Sequence, residues 1–217
     1  MEDNPKTRED DKKTISTILR LSVSASLAAL GIVLSTVVVL IPNIEFISVT
    51  IFLISLLFGT YYGVLAAVSI ALIYEFIVTT IYATAGLVIP FKLICYIGLA
   101  LLAGFGRKAF VKLSFWEFGI LGGIFALIYD VVTTIGGLIP MLQEAITIPS
   151  LISFLILGIP FTLVHFFGNF ILFSLVTPII NWIKTAFRYR GVKLLMISPL
   201  LDEFKDENNS SKVGDLT

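Results

Sequence analysis

Six apolar stretches separated by short polar breaks organise this chain: residues 21–41, 46–58, 61–82, 88–105, 116–139 and 151–182. Each reads as a helix, and together they predict an all-α membrane protein with six transmembrane helices. Crossing the hydrocarbon of a bilayer takes about 20 apolar residues. The second stretch is short for that and reads as a buried or partly broken helix shielded by its neighbours. The last is too long for one straight span. Its Pro160 and Pro178 predict a short outer segment, a kink near Pro160 and an end beyond Pro178. The domain plan is therefore a polar cytoplasmic tail over 1–20, a six-helix membrane domain over 21–183, and a second cytoplasmic tail over 184–217. The start of the first tail and part of the second read as disordered. Scattered apolar residues over 192–204 are suited to resting on a membrane surface.

Composition supports a bilayer environment. The chain is 57% hydrophobic and 14% charged, whereas a soluble domain carries roughly a quarter charged residues. Net charge is zero, so no bulk basic surface argues for nucleic acid. One cysteine, Cys95, and one histidine, His165, exclude an internal disulfide, a zinc cluster and most multi-histidine metal sites. No cleavage pattern follows the polar start, so the first stretch reads as a retained span.

The charges orient the bundle. Lys6, Arg8, Lys12, Lys13 and Arg20 precede the first span; Arg107, Lys108 and Lys112 lie between the fourth and fifth; Lys184, Arg188, Arg190 and Lys193 follow the sixth. The opposite connections carry Glu45, Glu144 and, at a span edge, Lys92. The positive-inside rule then puts both termini and the 107–112 loop in the cytoplasm. Six crossings satisfy that pattern and five do not, so the short second stretch counts as a crossing. Phe115, Trp116 and Trp182 fall at cytoplasmic span ends, where interface aromatics belong.

Two carboxylates inside the apolar stretches arrive in nearly the same phrase. Ala71-Leu72-Ile73-Tyr74-Glu75 precedes Val78-Thr79-Thr80-Ile81, and Ala126-Leu127-Ile128-Tyr129-Asp130 precedes Val132-Thr133-Thr134-Ile135. A charge in a bilayer is costly and marks function or a partner. Both copies lie on outward-running helices. A rise of 1.5 Å per residue places Glu75 about 10 Å and Asp130 about 13 Å from the outer end. The two copies are parallel, unlike the inverted repeat of an alternating-access carrier. Lys92 and Tyr96 fall in the outer half of the fourth span, and His165 and Asn169 near the middle of the sixth, each pair at i, i+4 on one face.

Glu75, Lys92, Tyr96, Tyr129, Asp130, His165 and Asn169 are accordingly the candidate residues of an outward-facing substrate pocket. Tyrosine rings offer flat apolar faces to a planar polar ligand. Two acids, one base and one titratable imidazole favour a zwitterionic or hydrogen-bond-rich molecule over a dianion. A purely structural role accounts for single members. Asn169 can bond a neighbouring helix, Lys92 can reach the headgroups, and Glu75 can pair with Lys92. The set as a whole exceeds what helix packing requires. Small residues form a second signal: Ser22, Ala25, Ser26 and Ala29 on the first span, Gly119 and Gly123 on the fifth. Such faces let backbones approach closely, within the bundle or against another membrane subunit.

Several phrases resemble one family. They are Ala25-x-x-x-Ala29, Ile41-Pro42-Asn43-Ile44-Glu45, Leu57-Phe58-Gly59-Thr60-Tyr61-Tyr62-Gly63, Leu127-Ile128-Tyr129-Asp130 and Pro160-Phe161-Thr162-Leu163-Val164-His165-x-x-x-Asn169. With the six-span plan, they make residues 20–185 resemble a substrate-binding S component of an energy-coupling factor transporter. That resemblance implies an S-component-like bundle in the plasma membrane that captures a vitamin or related micronutrient from outside. It implies docking on a membrane coupling subunit driven by two cytoplasmic ATPases, with Ala25 and Ala29 at the contact. It assigns no individual ligand contact. The histidine-bearing N-terminal motif of nickel and cobalt members does not occur, so no metal and no cofactor is expected.

The chain carries no phosphate-binding G-x-x-x-x-G-K-[ST] loop, so energy for active transport has to come from partners. The rival reading is a stand-alone secondary carrier, proton-coupled through Glu75 or Asp130. An intramembrane enzyme is disfavoured. There is no G-x-S-x-G phrase, and a shared-proton carboxylate pair would need aspartate where Glu75 stands. A non-transporting scaffold would have its polar groups paired and no pocket.

Overall fold

The computed structural model describes residues 5–41, 43–82, 86–138 and 147–190. These residues form eight helices: α1 (Pro5–Val37), α2 (Ile47–Phe58), α3 (Thr60–Tyr82), α4 (Ile89–Phe105), α5 (Arg107–Phe110), α6 (Phe115–Leu138), α7 (Ile148–Ser174) and α8 (Val176–Arg190). Four segments are long and apolar enough to cross a membrane: Thr17–Val37, Thr60–Tyr82, Phe115–Leu138 and Ile152–Trp182. Large apolar side chains cover the outside of the bundle. Phe76 and Phe105 are about three-quarters exposed, a surface suited to lipid rather than water.

The two shorter apolar helices are α2 and α4. Helix α2 has 12 residues, ten of them buried, and its length of about 18 Å falls short of the hydrocarbon thickness. It is a continuous helix enclosed by α1, α3 and α4 and touching α7. Phe52, fully buried, gathers the rings of Phe110, Phe118 and Phe173 at centroid separations of 5.2–5.9 Å. At its end the carbonyls of Leu56 and Leu57 accept hydrogen bonds from Arg107 Nε (2.7 Å) and Nη2 (3.0 Å). Last-turn carbonyls have no partner within their own helix. Arg107, counted from the sequence as an orienting charge, thus also closes the end of α2.

The helices sort into two groups. Helices α1 to α4 pack on one another, α6 lies along α7, and α4 against α6 joins the groups. Ser55 Oγ donates to the Ala100 carbonyl (2.5 Å), tying α2 to α4. Glycines set the α6–α7 approach: at Gly122 a Cβ would stand 2.5 Å from Phe173 Cγ and 2.7 Å from the Asn169 carbonyl oxygen.

The first helix begins well before the apolar stretch: residues 5–20 are the first turns of α1. The lysines, arginines and glutamate there are good helix formers, and Pro5 sits at the N-terminus, where its missing N–H costs nothing. The sixth apolar stretch holds two helices, with Pro160 inside α7. The helix ends at Ser174, Leu175 is a turn, and α8 follows. Pro178 then falls in the first turn of α8, where a proline is tolerated. Pro42, Ile139, Glu144 and residues 191–217, including the surface-resting stretch over 192–204 and Lys193, lie outside the described residues. So do the side chains of Lys6, Arg8, Lys12, Lys13, Lys184, Arg188 and Arg190.

Candidate functional site

The repeated phrase folds the same way twice. Ala71 and Ala126 are fully buried, Tyr74 and Tyr129 nearly so, while Leu72, Ile73, Leu127 and Ile128 are 40–55% exposed. With 3.6 residues per turn, this pattern points the tyrosine of each copy into the bundle and the aliphatic pair outward. Past the carboxylates the copies slip by one residue. Thr79 Oγ1 donates to the carbonyl of Glu75 (2.7 Å), whereas Thr133 Oγ1 donates to that of Tyr129 (2.8 Å).

Between the two helix groups lies a cavity of about 510 Å³, within the ~300–1,000 Å³ usual for small-molecule sites. The α1–α2 connection contributes Val39, Ile41, Asn43, Ile44 and Glu45. Helices α3 and α4 contribute Tyr74, Val78, Tyr82 and Lys92, and α6 and α7 contribute Tyr129, Asp130, Thr133, Thr134 and His165. The cavity therefore opens at the bundle end where α3 and α6 finish and α4 begins.

The α1–α2 connection is fastened from several sides. Asn43 adopts φ 60°, a left-handed conformation that asparagine tolerates, and its Nδ2 donates to the Phe161 carbonyl (2.8 Å). Tyr82 Oη donates to the Val39 carbonyl (2.5 Å), the Phe46 amide donates to Ser35 Oγ (2.8 Å), and Tyr96 Oη donates to Glu45 Oε1 (2.7 Å).

Of the seven residues singled out from sequence, Lys92, Tyr129, Asp130 and His165 line the cavity, and Glu75, Tyr96 and Asn169 stand behind it. Glu75, 3% exposed, binds Lys92 Nζ at 2.6 Å, the α3–α4 ion pair weighed from the sequence. Tyr96 is fully buried. Its hydroxyl lies 3.1 Å from that of Tyr129, with the two rings 5.4 Å apart. Asp130 Oδ1 lies 2.7 Å from His165 Nδ1, and the Tyr129 ring meets the imidazole edge-on at 5.4 Å. Asn169 Nδ2 donates to the His165 carbonyl (3.3 Å). The two carboxylates of the repeat thus have different partners, a lysine on α4 and an imidazole on α7.

Three buried polar atoms of this set have no hydrogen-bond partner: Asp130 Oδ2, His165 Nε2 and Asn169 Oδ1. Buried polar groups are nearly always satisfied, so three such atoms on neighbouring residues mark a place shaped for something other than its own side chains. Glu45, Tyr74, Thr133 and Asn43 were not among the candidates. Tyr74 and Thr133 belong to the repeated phrases and were legible there. Glu45 sits in a loop, and nothing local indicates that the loop folds over a cavity.

The buried ion pair can be tested by a mutant cycle. Lys92→Met should destabilise the protein by about 3–5 kcal/mol, because it strands the Glu75 charge. Lys92→Met combined with Glu75→Gln should recover most of that, seen as a melting temperature in detergent close to that of the unaltered chain.

The chain matches no protein-family model, no curated protein and no solved structure.

Proposed function

We propose that this protein is the substrate-capture component of an energy-coupling factor importer, taking a vitamin-like micronutrient into the cavity at the outer end of the bundle. The observation that carries this reading is the cavity itself, with unpartnered buried polar atoms on two residues of its wall, Asp130 and His165, and on Asn169 behind them. A scaffold has no use for either. In this reading α1, α2, α3, α4, α6 and the combined α7–α8 stretch are six crossings of the plasma membrane, and both termini are cytoplasmic. Glu45 and Lys92 then sit at the outer side, Arg107 and Lys112 at the inner side, in keeping with the positive-inside rule. Import energy comes from a coupling subunit with two ATPases.

The face of α1 supports the docking part. Ala25 and Ala29 are exposed and edge a second, apolar cavity of about 310 Å³ between α1 and α3. Small residues on an open helix face allow close approach of a partner helix. Tryptophan at both positions, Ala25→Trp with Ala29→Trp, is expected to abolish co-purification with coupling subunits and to leave ligand affinity within about twofold, since nothing at the upper cavity changes.

Uptake and co-purification together decide the function. The protein is expressed with and without a coupling subunit and its ATPases, and the small molecule that co-purifies is identified by mass spectrometry. Accumulation only with the partners supports the capture reading. Accumulation in their absence, abolished by a proton uncoupler, would establish instead the carrier coupled through Glu75 or Asp130.

A further inference from the structure

We infer that the upper cavity selects a cationic, donor-rich planar ligand, such as an amino- or amidino-substituted aromatic ring. This rests on the capture reading and deepens it.

The charge balance is the first support. Glu75 and Lys92 form a pair that adds no net charge wherever its proton lies. Asp130 and His165 form the second pair, worth zero with a protonated imidazole and minus one with a neutral one. Glu45, which lines the cavity, bonds to a tyrosine hydroxyl rather than a cation. Counted over the described residues with Glu45 ionised, the site is therefore negative in either state of His165, and in a poorly hydrated cavity that charge calls for a countercharge.

The direction of the protons is the second support. An ionised carboxylate only accepts hydrogen bonds, so Tyr96 Oη gives its proton to Glu45. The 3.1 Å contact between the tyrosines then runs from Tyr129 to Tyr96, leaving the Tyr129 oxygen as an acceptor. The same rule puts a proton on His165 Nδ1 toward Asp130, so the neutral ring presents Nε2 as an acceptor. Thr133 gives its hydroxyl proton to backbone carbonyls. Glu45, Tyr129, Asp130, Thr133 and, with a neutral ring, His165 thus offer lone pairs, while Lys92, Tyr74 and Thr134 are donors on the same wall. The acceptors gather around the two carboxylates that have no lysine partner among the described residues, and a ligand's N–H groups fit there. The tyrosine faces at the same wall favour a flat cation.

The test uses three near-isosteric probes: benzamidine (cation), benzamide (neutral) and benzoate (anion). Each is titrated calorimetrically into the full chain in nanodiscs of zwitterionic phosphatidylcholine, which removes attraction by anionic lipid. Benzamidine is expected to bind about tenfold more tightly than benzamide, and benzoate more weakly than both. Glu45→Gln, whose amide oxygen still accepts from Tyr96 Oη, should remove most of the benzamidine advantage over benzamide, read as the ratio of the two affinities in the same folded sample. Benzoate binding as well as benzamidine, no saturable benzamidine binding in the millimolar range, or an undiminished advantage in Glu45→Gln would each overturn the inference. None of these results bears on partner-dependent uptake, which decides the capture reading separately.

Discussion

Gly122→Val is expected to remove most folded protein from a membrane extract, measured as the monodisperse fraction in size-exclusion chromatography. Helices α6 and α7 approach so closely at Gly122 that a Cβ would meet Phe173 Cγ at 2.5 Å and the Asn169 carbonyl oxygen at 2.7 Å. A ring can rotate away, but a backbone carbonyl inside α7 cannot move without carrying its helix. Overpacking a well-filled interior costs about 1–3 kcal/mol where side chains yield, and more where only backbone can. The loss reaches the site, because the same two helices hold Asp130 beside His165 at 2.7 Å. Gly98→Ala is the control. Nothing lies within 4 Å of a Cβ there, so alanine in the middle of α4 should be neutral or stabilise by up to about 1 kcal/mol through helix propensity.

Asp130→Ala should weaken ligand binding by about a hundredfold, the scale of a lost charge-assisted hydrogen bond in a partly dehydrated site. The expected drop in stability is of similar size, about 1–3 kcal/mol, from leaving the His165 ring with neither nitrogen partnered. Asp130→Asn separates the two effects: its amide oxygen still accepts from Nδ1, so the fold is kept while the charge is lost. Affinity from calorimetry and melting temperature from intrinsic fluorescence, read on both variants, distinguish a ligand contact from a packing role. If Asp130→Ala binds the co-purified molecule as tightly as the unaltered chain, Asp130 is not a ligand contact. Asn169→Ala serves as the companion, since Asn169 stands behind the cavity and its Oδ1 is unpartnered.

The repeated phrase shows how far sequence reasoning reaches. The two phrases, spelled alike, put a tyrosine beside a carboxylate at equivalent places on two outward-running helices. Periodicity could not assign their carboxylates different roles. Glu75 turns to Lys92 of α4 and Asp130 to His165 of α7, and which neighbour faces a given helix is decided by packing between segments far apart in the chain. The last apolar stretch is a second case. Its prolines are legible, but the turn that divides it falls at Leu175, between them. A proline's missing hydrogen bond weakens a helix locally, and neighbouring packing decides whether the helix gives way.

The amino-acid sequence determined the helical class, the apolar lengths suited to a bilayer, a short second stretch shielded by its neighbours and the presence of polar groups too costly to be incidental. Those properties follow from local spacing and from the transfer free energy of individual side chains. Only the tertiary structure decided which partner each carboxylate meets, that the loop bearing Glu45 is fastened over a cavity, and that three buried polar atoms are left without partners. Each of those depends on contacts between distant segments, where close packing and the directions of hydrogen bonds select one arrangement among the many that local spacing allows.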